Sequence, residues 1–231
     1  MGCRARISVD DAAEALLDDL VVAAAGMELA WSRFDEDSEI SQLNRSSGRP
    51  VIVSPSTALL IDKARAAHRA TRGWFDPMLL RELEAAGYSQ SFELVGAFGN
   101  SQVLSATNSA LFSADTRPSI SDVDVDLELG LVQLPDGAAF DPGGIGKGLA
   151  ADRLAALAMD AGARWVIADL GGDIRVDGDQ LEFGEFQIDV ADPDGGVMCS
   201  VAMTSGAAAT SGTGRRCWSG PGGERRHHLL D

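Results

Sequence analysis

Asp141-Pro142-Gly143-Gly144-Ile145-Gly146-Lys147-Gly148-Leu149-Ala150-Ala151-Asp152 is the stretch that decides how this chain is read. Before it, Ala138-Ala139-Phe140 reads as the end of a strand. After it, Leu149, Ala150, Leu154, Leu157, Ala158 and Ala161 recur at helical spacing until Gly162 closes the run. Strand, glycine loop and helix thus follow one another. Glycines let the backbone approach a ligand closely, the new helix offers unpaired N–H groups and the positive end of its dipole, and Lys147 adds a full charge. That combination suits a phosphate or pyrophosphate, but it is neither GxxxxGK[ST] nor the dinucleotide fingerprint GxGxxG. The same residues also describe a plain strand-to-helix turn with a surface lysine.

Working outward, Leu131-Val132-Gln133-Leu134, the turn Pro135-Asp136-Gly137 and Ala138-Ala139-Phe140 predict a hairpin leading into the loop. Trp165–Ala168 predicts the next strand and Leu170-Gly171-Gly172-Asp173 a tight turn, with further strand-like runs around Ile174, Ile188 and Val201. Toward the N-terminus, Leu16, Leu17, Leu20, Val21, Ala24, Met27 and Trp31 predict a helix from Asp11 to Trp31. Ser32 to Gly48 loses that period and reads as a long loop. A strand at Val51–Val53 precedes Ser54-Pro55, an N-cap with proline at the first helical position, and the helix should run to about Thr71. It delivers Trp74-Phe75-Asp76-Pro77 to a loop. Gly87 to Ser121 carries no pattern from which an element can be placed. Hairpins interleaved with a few helices predict an α+β fold, largely antiparallel, and not a doubly wound sheet.

Composition bounds the function. The 231 residues carry 19 Lys+Arg against 35 Asp+Glu, a net charge of −16, with a pI near 4.4. Such a chain repels a phosphate backbone or an anionic membrane as a whole, so nucleic acid is not an expected partner, and an anionic ligand needs a local device such as the glycine loop. Cys3, Cys199 and Cys217 have no metal-like spacing and are an odd set for a disulfide framework. No apolar run reaches the roughly 20 residues of a spanning helix, and no export signal is expected in the residues from Met1 onward. His227 and His228 end a basic run; adjacent strand residues face opposite ways, so at most one enters a given site. Phe34, Trp74 and Phe75 suit either a flat ring or a core.

Taken together and in order, these motifs resemble the bacterial FAD:protein FMN transferases, the ApbE-type flavin transferases. Met1-Gly2-Cys3 is similar to the family's opening Met-Gly-Thr. Trp31-Ser32-Arg33-Phe34-Asp35-Glu36-Asp37-Ser38-Glu39-Ile40-Ser41-Gln42-Leu43-Asn44 resembles its "FS-aromatic-D-x-x-SEIS-x-LN" segment. Trp74-Phe75-Asp76-Pro77 is similar to "FDPT", Asp141 to Asp152 to "DLGGIAKGYAVD", and Leu170-Gly171-Gly172-Asp173 to "NLGGDI". Ala209-Thr210-Ser211-Gly212 and Arg226-His227-His228-Leu229-Leu230-Asp231 resemble "ATSG" and "HHIIDP".

The resemblance implies a T-fold-like, ApbE-like domain over residues 1–231 and a Mg²⁺-dependent enzyme. Such an enzyme splits FAD, transfers its FMN moiety to a Ser or Thr hydroxyl of an acceptor flavoprotein through a phosphoester bond, and releases AMP. By position, Met1, Phe34, Trp74, Phe75, Asp76, Asp141, Lys147 and Leu230 would contact FAD, Gly144 would offer a backbone oxygen to Mg²⁺, and His228 would stand near the reacting phosphate. Family members continue past "HHIIDP" to a "DAxxTA" motif that supplies Asp and Thr ligands to Mg²⁺; residues 1–231 are expected to lack that segment. Cys3 and Met78 stand where the family has threonine. Family members are often exported, with a signal upstream of Met-Gly-Thr. Two other readings of the same motifs are a non-catalytic FAD-binding module and an FAD pyrophosphatase.

Overall fold

The structure is a computed structural model, and it describes residues 3–10, 14–91, 117–178, 184–192, 195–212, 217–219 and 225–229. Met1 and Leu230 lie outside the described residues. In chain order the elements are β1 (Ala5–Val9), α1 (Glu14–Trp31), α2 (Glu39–Asn44), β2 (Val51–Ile52), α3 (Pro55–Ala70), α4 (Leu80–Ala85), β3 (Asp124–Asp126) and β4 (Leu131–Gln133). Then come α5 (Gly146–Asp160), β5 (Trp165–Leu170), β6 (Asp173–Gly178), β7 (Phe186–Ala191), β8 (Val197–Met203), β9 (Gly206–Ala209), β10 (Cys217–Ser219) and β11 (Arg225–His227). Every strand pair among the described residues is antiparallel, as the α+β reading expects. The chain forms two compact units.

One unit comprises the described parts of Met27–Gly146 and Arg215–Asp231. Its three-stranded sheet runs β2-β4-β3, with Val132 opposite both Val51 and Val125. Helix α3 starts where the sequence predicts: the Ser54 hydroxyl accepts from the Thr57 N–H (3.3 Å) and Pro55 fills the first turn. Its Ala58, Leu60, Ile61 and Ala64 are fully buried, as are Ile40, Ile120, Val132 and Phe140. Each large apolar side chain so hidden stabilises by about 1.5–3 kcal/mol before entropy is counted.

Two expectations fail in this unit. The long loop contains α2, capped by the Ser38 hydroxyl accepting from the Ser41 N–H (3.0 Å). The Glu39 carboxylate on α2 accepts from the Ser54 N–H and hydroxyl (2.9 and 2.7 Å), fixing α2 to the start of α3. The predicted second hairpin strand at 138–140 does not form, and β4 pairs with β2 and β3 instead. The Asn44 side chain takes the place of a strand partner: its Oδ1 accepts from the Phe140 N–H (2.7 Å) and its Nδ2 donates to the Phe140 carbonyl (2.9 Å).

The second unit comprises the described parts of Cys3–Gly26 and Lys147–Gly214. Its four-stranded sheet runs β1-β5-β6-β9, with Ile7 opposite Ala168, Ile167 opposite Val176 and Arg175 opposite Ala207. Val166, Ala168 and Leu170 alternate with less buried neighbours, the period of a strand with one covered face. Gly171 and Gly172 both have positive φ (70° and 93°), the two-residue turn that matches strand twist and favours glycine. Helix α5 buries Ala150, Leu154, Ala155 and Ala158. Strands β7 and β8 form a separate hairpin with a bulge at Val190/Ala191.

Asn44→Ala should leave the buried N–H and C=O of Phe140 unpaired, at about 1–3 kcal/mol for each group. Urea unfolding measures the loss, with Asn44→Asp intermediate because it keeps only the acceptor. A change below about 0.5 kcal/mol for the alanine variant would mean that water or another group satisfies Phe140 equally well.

Candidate active site

In the first unit the glycine loop and the Trp74-Phe75-Asp76-Pro77 loop lie against each other. The Asp141 N–H donates to the Pro77 carbonyl (2.7 Å), and the Asp141 carboxylate accepts from the Gly143 N–H (3.2 Å), capping a short 3₁₀ turn at Pro142–Gly144. The Phe75 ring sits so close to Gly144 that a Cβ there would lie 2.8 Å from Cε2. Glycine at 144 thus admits an aromatic ring, a reason for that residue which phosphate chemistry does not require.

The second loop is held through Phe75 and Asp76. The Phe75 N–H donates to the Thr71 hydroxyl (3.0 Å), and the Phe75 carbonyl can only accept, so His68 Nδ1 carries the proton it shares there (2.8 Å). Asp76 accepts from the Met78 N–H (2.9 Å) and from Arg117 (2.6 Å), which also pairs with Glu82 (3.3 Å). Trp74 is the exception: 95% of it is exposed.

Asp141 forms an ion pair with Arg33 (Nε to Oδ1, 3.3 Å), and only 15% and 6% of the two side chains are exposed. Burial pushes the Asp141 carboxyl above its ordinary range, and Glu84 adds to that. Arg33, the Gly143 N–H and the charge of His228 pull the other way without overcoming burial. His228 follows β11, half-buried. Its neighbour His227 has Nδ1 buried with no hydrogen-bond partner among the described residues. Phe34 is 40% exposed, its ring tilted against Tyr88 at 5.7 Å.

In the second unit Lys147 lies in the first turn of α5, but its ammonium is already engaged: Nζ is 2.8 Å from Asp173 Oδ2. Asp173 opens β6, just after the glycine turn, where the Gly172 N–H donates to Asp169 (2.9 Å) and the Thr210 hydroxyl to the Gly172 carbonyl (3.4 Å). An anion reaching Lys147 must share it with Asp173 or displace it.

The structure thus brings Phe75, Asp141 and Gly144 together, with His228 acting on Asp141 through its charge, and it places Trp74 and Asp76 on the loop that Phe75 anchors. Sequence reasoning missed Arg33, Arg117, Tyr88 and Asp173 as partners. Arg33 lay within a quoted motif and beside Phe34, whereas no spacing rule connects Arg117 to Asp76. Among the described residues no group of three or more His, Cys, Asp or Glu side chains could hold a metal ion. A backbone oxygen at Gly144 is a single neutral ligand, whereas Mg²⁺ requires an octahedral shell of oxygens. The described residues therefore do not by themselves fit Mg²⁺.

Solved structures of ApbE proteins share this fold. The ApbE protein of Thermotoga maritima matches with a TM-score of 0.76 and 27% identity, over 97% of this chain and 71% of that one. The flavin transferase ApbE of Vibrio cholerae matches with a TM-score of 0.64 and 18% identity, over 92% and 69%. The apo flavinyl transferase ApbE of Pseudomonas stutzeri gives 0.65 and 14%, over 90% and 69%. At these lower identities the last two show a shared fold. Comparison with curated proteins gave no match. A family model described as the ApbE family matches residues 1–231, and the chain belongs to that family.

The raised Asp141 carboxyl has a measurable consequence. The folded state holds this proton more tightly than the unfolded chain, whose value is near 3.8. Its contribution to stability is therefore full below that pH and is lost as pH rises through the higher folded value. Asp141→Asn removes the titration, so the stability of the variant relative to wild type should rise with pH over that interval and then level off. Chemical denaturation at low protein concentration is the measurement, because the pI of about 4.4 falls nearby. A difference independent of pH would show that Asp141 titrates like a solvated carboxyl.

Proposed function

We propose that this enzyme takes FAD as its substrate, transfers the FMN moiety to a Ser or Thr hydroxyl of an acceptor flavoprotein, and releases AMP. The hydroxyl oxygen bonds to the phosphorus of the FMN half, the bond from that phosphorus to the bridging oxygen breaks, AMP leaves with that oxygen, and the hydroxyl proton passes to a base. One observation carries the reading: the two family motifs around Phe75 and Gly144, far apart in sequence, meet in the fold.

In this reading the exposed indole of Trp74 and the exposed edge of Phe34 supply flat apolar surface for a ring system. Lys147 addresses a phosphate when it exchanges Asp173 for the ligand. His228, close enough to Asp141 to influence it electrostatically, is the candidate proton acceptor in its neutral form. Asp76 serves by shaping the aromatic loop, since both of its oxygens already have partners. Met1 and Leu230 complete the FAD contacts that the family resemblance implies. Mg²⁺ dependence rests on that resemblance, and no step is assigned to the ion. The net charge of −16 disfavours a nucleic-acid partner.

Incubation of a chain that carries the family's Mg²⁺-ligand segment with FAD, Mg²⁺ and an acceptor flavoprotein should make the acceptor covalently fluorescent and release AMP. Free FMN formed without acceptor would instead mark a pyrophosphatase, and FAD bound without turnover a binding module. Lys147→Ala should weaken FAD by about tenfold or more and leave riboflavin nearly unchanged, the size of a lost charge-assisted contact. Asp173→Asn should tighten FAD by freeing Lys147. Equal losses for FAD and riboflavin in fluorescence titration would remove Lys147 from the phosphate role. Calorimetry of Mg²⁺ without FAD should show no binding tighter than the millimolar range, with tighter binding when FAD phosphates supply further oxygens.

A further inference from the structure

Arg33 is a heavily engaged side chain of the first unit that the reading above leaves without a role. Its Nη1 and Nη2 each donate to the Tyr88 carbonyl (3.0 Å), and its Nε faces Asp141 (3.3 Å). The guanidinium carbon lies 4.2 Å from the centre of the Phe34 ring and 4.4 Å from that of Tyr88. Tyr88 in turn stacks on Trp218 of β10 (5.3 Å, 27°), and Trp218 Nε1 donates to the Ala86 carbonyl (2.7 Å). Gly87 lies between these contacts at φ +100°, and a Cβ on it would come 3.1 Å from Trp218 Nε1. Strand β10 pairs with β11, Trp218 opposite Arg226, and His228 follows where β11 ends.

One buried guanidinium therefore touches Asp141 directly and is connected to His228 through Tyr88, Trp218 and the β10–β11 hairpin. Only arginine combines a permanent charge, a planar face for two rings and a fork of donors; lysine has the charge alone. We propose that Arg33 is the positioning residue of the site, setting Asp141 and His228 at a fixed separation by holding the carboxylate with Nε and the histidine hairpin through Tyr88 and Trp218. The proposal rests on the transferase reading for the roles of Asp141 and His228, while the geometry of the column stands apart from it. A role confined to stability would alter the melting temperature and leave turnover per folded molecule alone.

The test uses the full chain and the variants Arg33→Lys, Trp218→Phe and Trp218→Leu. For each, melting temperature, kcat and KM for FAD, and the NMR signal of the His228 ring, assigned through His228→Ala, are measured. Arg33→Lys should stay folded and keep KM within about threefold while kcat falls about tenfold or more, because misplaced groups act on the transition state. Its His228 signal should shift or broaden. Trp218→Leu should behave alike, and Trp218→Phe, which keeps the stack, should recover most of the loss. Normal kcat and an unmoved His228 signal in folded Arg33→Lys would overturn the proposal. If Arg33→Lys fails to fold, the Trp218 pair decides, and equal effects of Phe and Leu on kcat and on the ring signal would overturn it. A wild-type chain that carries the Mg²⁺-ligand segment and transfers no FMN would end the transferase reading, and the His228 signal would still decide whether Arg33 sets the histidine.

Discussion

A carboxylate taken out of water needs a partner that left water with it. Asp141 and Arg33 are such a pair, and the first unit is organised around their burial. Removing one charge alone would strand the other, which in a protein interior costs several kcal/mol. The contacts that keep water away are also the ones that define the site: Pro77 on the Asp141 backbone, Phe75 over Gly144, and the rings of Phe34 and Tyr88 against the guanidinium. Because burial still outweighs the charges that favour ionisation, Asp141 holds its proton more tightly than a solvated aspartate. Shape and electrostatics here have one cause.

The second unit shows the same economy with a different outcome. Lys147 and Asp173 are also mostly covered, but each keeps close to a fifth of its side chain in contact with solvent. The exposures are close to the 6% and 15% of Arg33 and Asp141, and the Lys147–Asp173 contact is the shorter, 2.8 Å against 3.3 Å. A competing anion reaches Lys147 by displacing or sharing a carboxylate already in place. The helix start beneath Lys147 favours an anion in either state, through N–H groups that have no partner within the helix.

Local rules made much of this legible in sequence. Helices α3 and α5 announce themselves by period and by Ser54-Pro55 or Gly162, and the turn at Gly171-Gly172 by the glycines that positive φ favours. Helix α2, six residues long, is too short for a period to register, and only Ser38 followed by Ser41 hinted at its cap. The strand expected at 138–140 was misread because Asn44, distant in the chain, satisfies Phe140 with a side chain, which alternation of apolar residues cannot reveal. The candidate site divides in the same way. Local chemistry pointed to the glycine loop and Lys147, and the family resemblance to Phe75, Asp141 and Gly144, but the partners that set their properties, Arg33, Arg117, Tyr88, Trp218 and Asp173, depend on tertiary pairing that carries no periodic signal.

Trp74 stands apart, with nearly its whole indole in water beside residues that are all held. Folding leaves this apolar area unburied, so the free enzyme forgoes about 25 cal/mol for each Å² that a bound ring would cover. Covering it moves that gain from the folding equilibrium to the binding equilibrium. Thermal denaturation then becomes a register of occupancy, because a ligand that the unfolded chain cannot hold raises the melting point as its concentration rises. The indole is also a chromophore at the surface, and its emission passes from that of a hydrated ring to that of a shielded one on the same event.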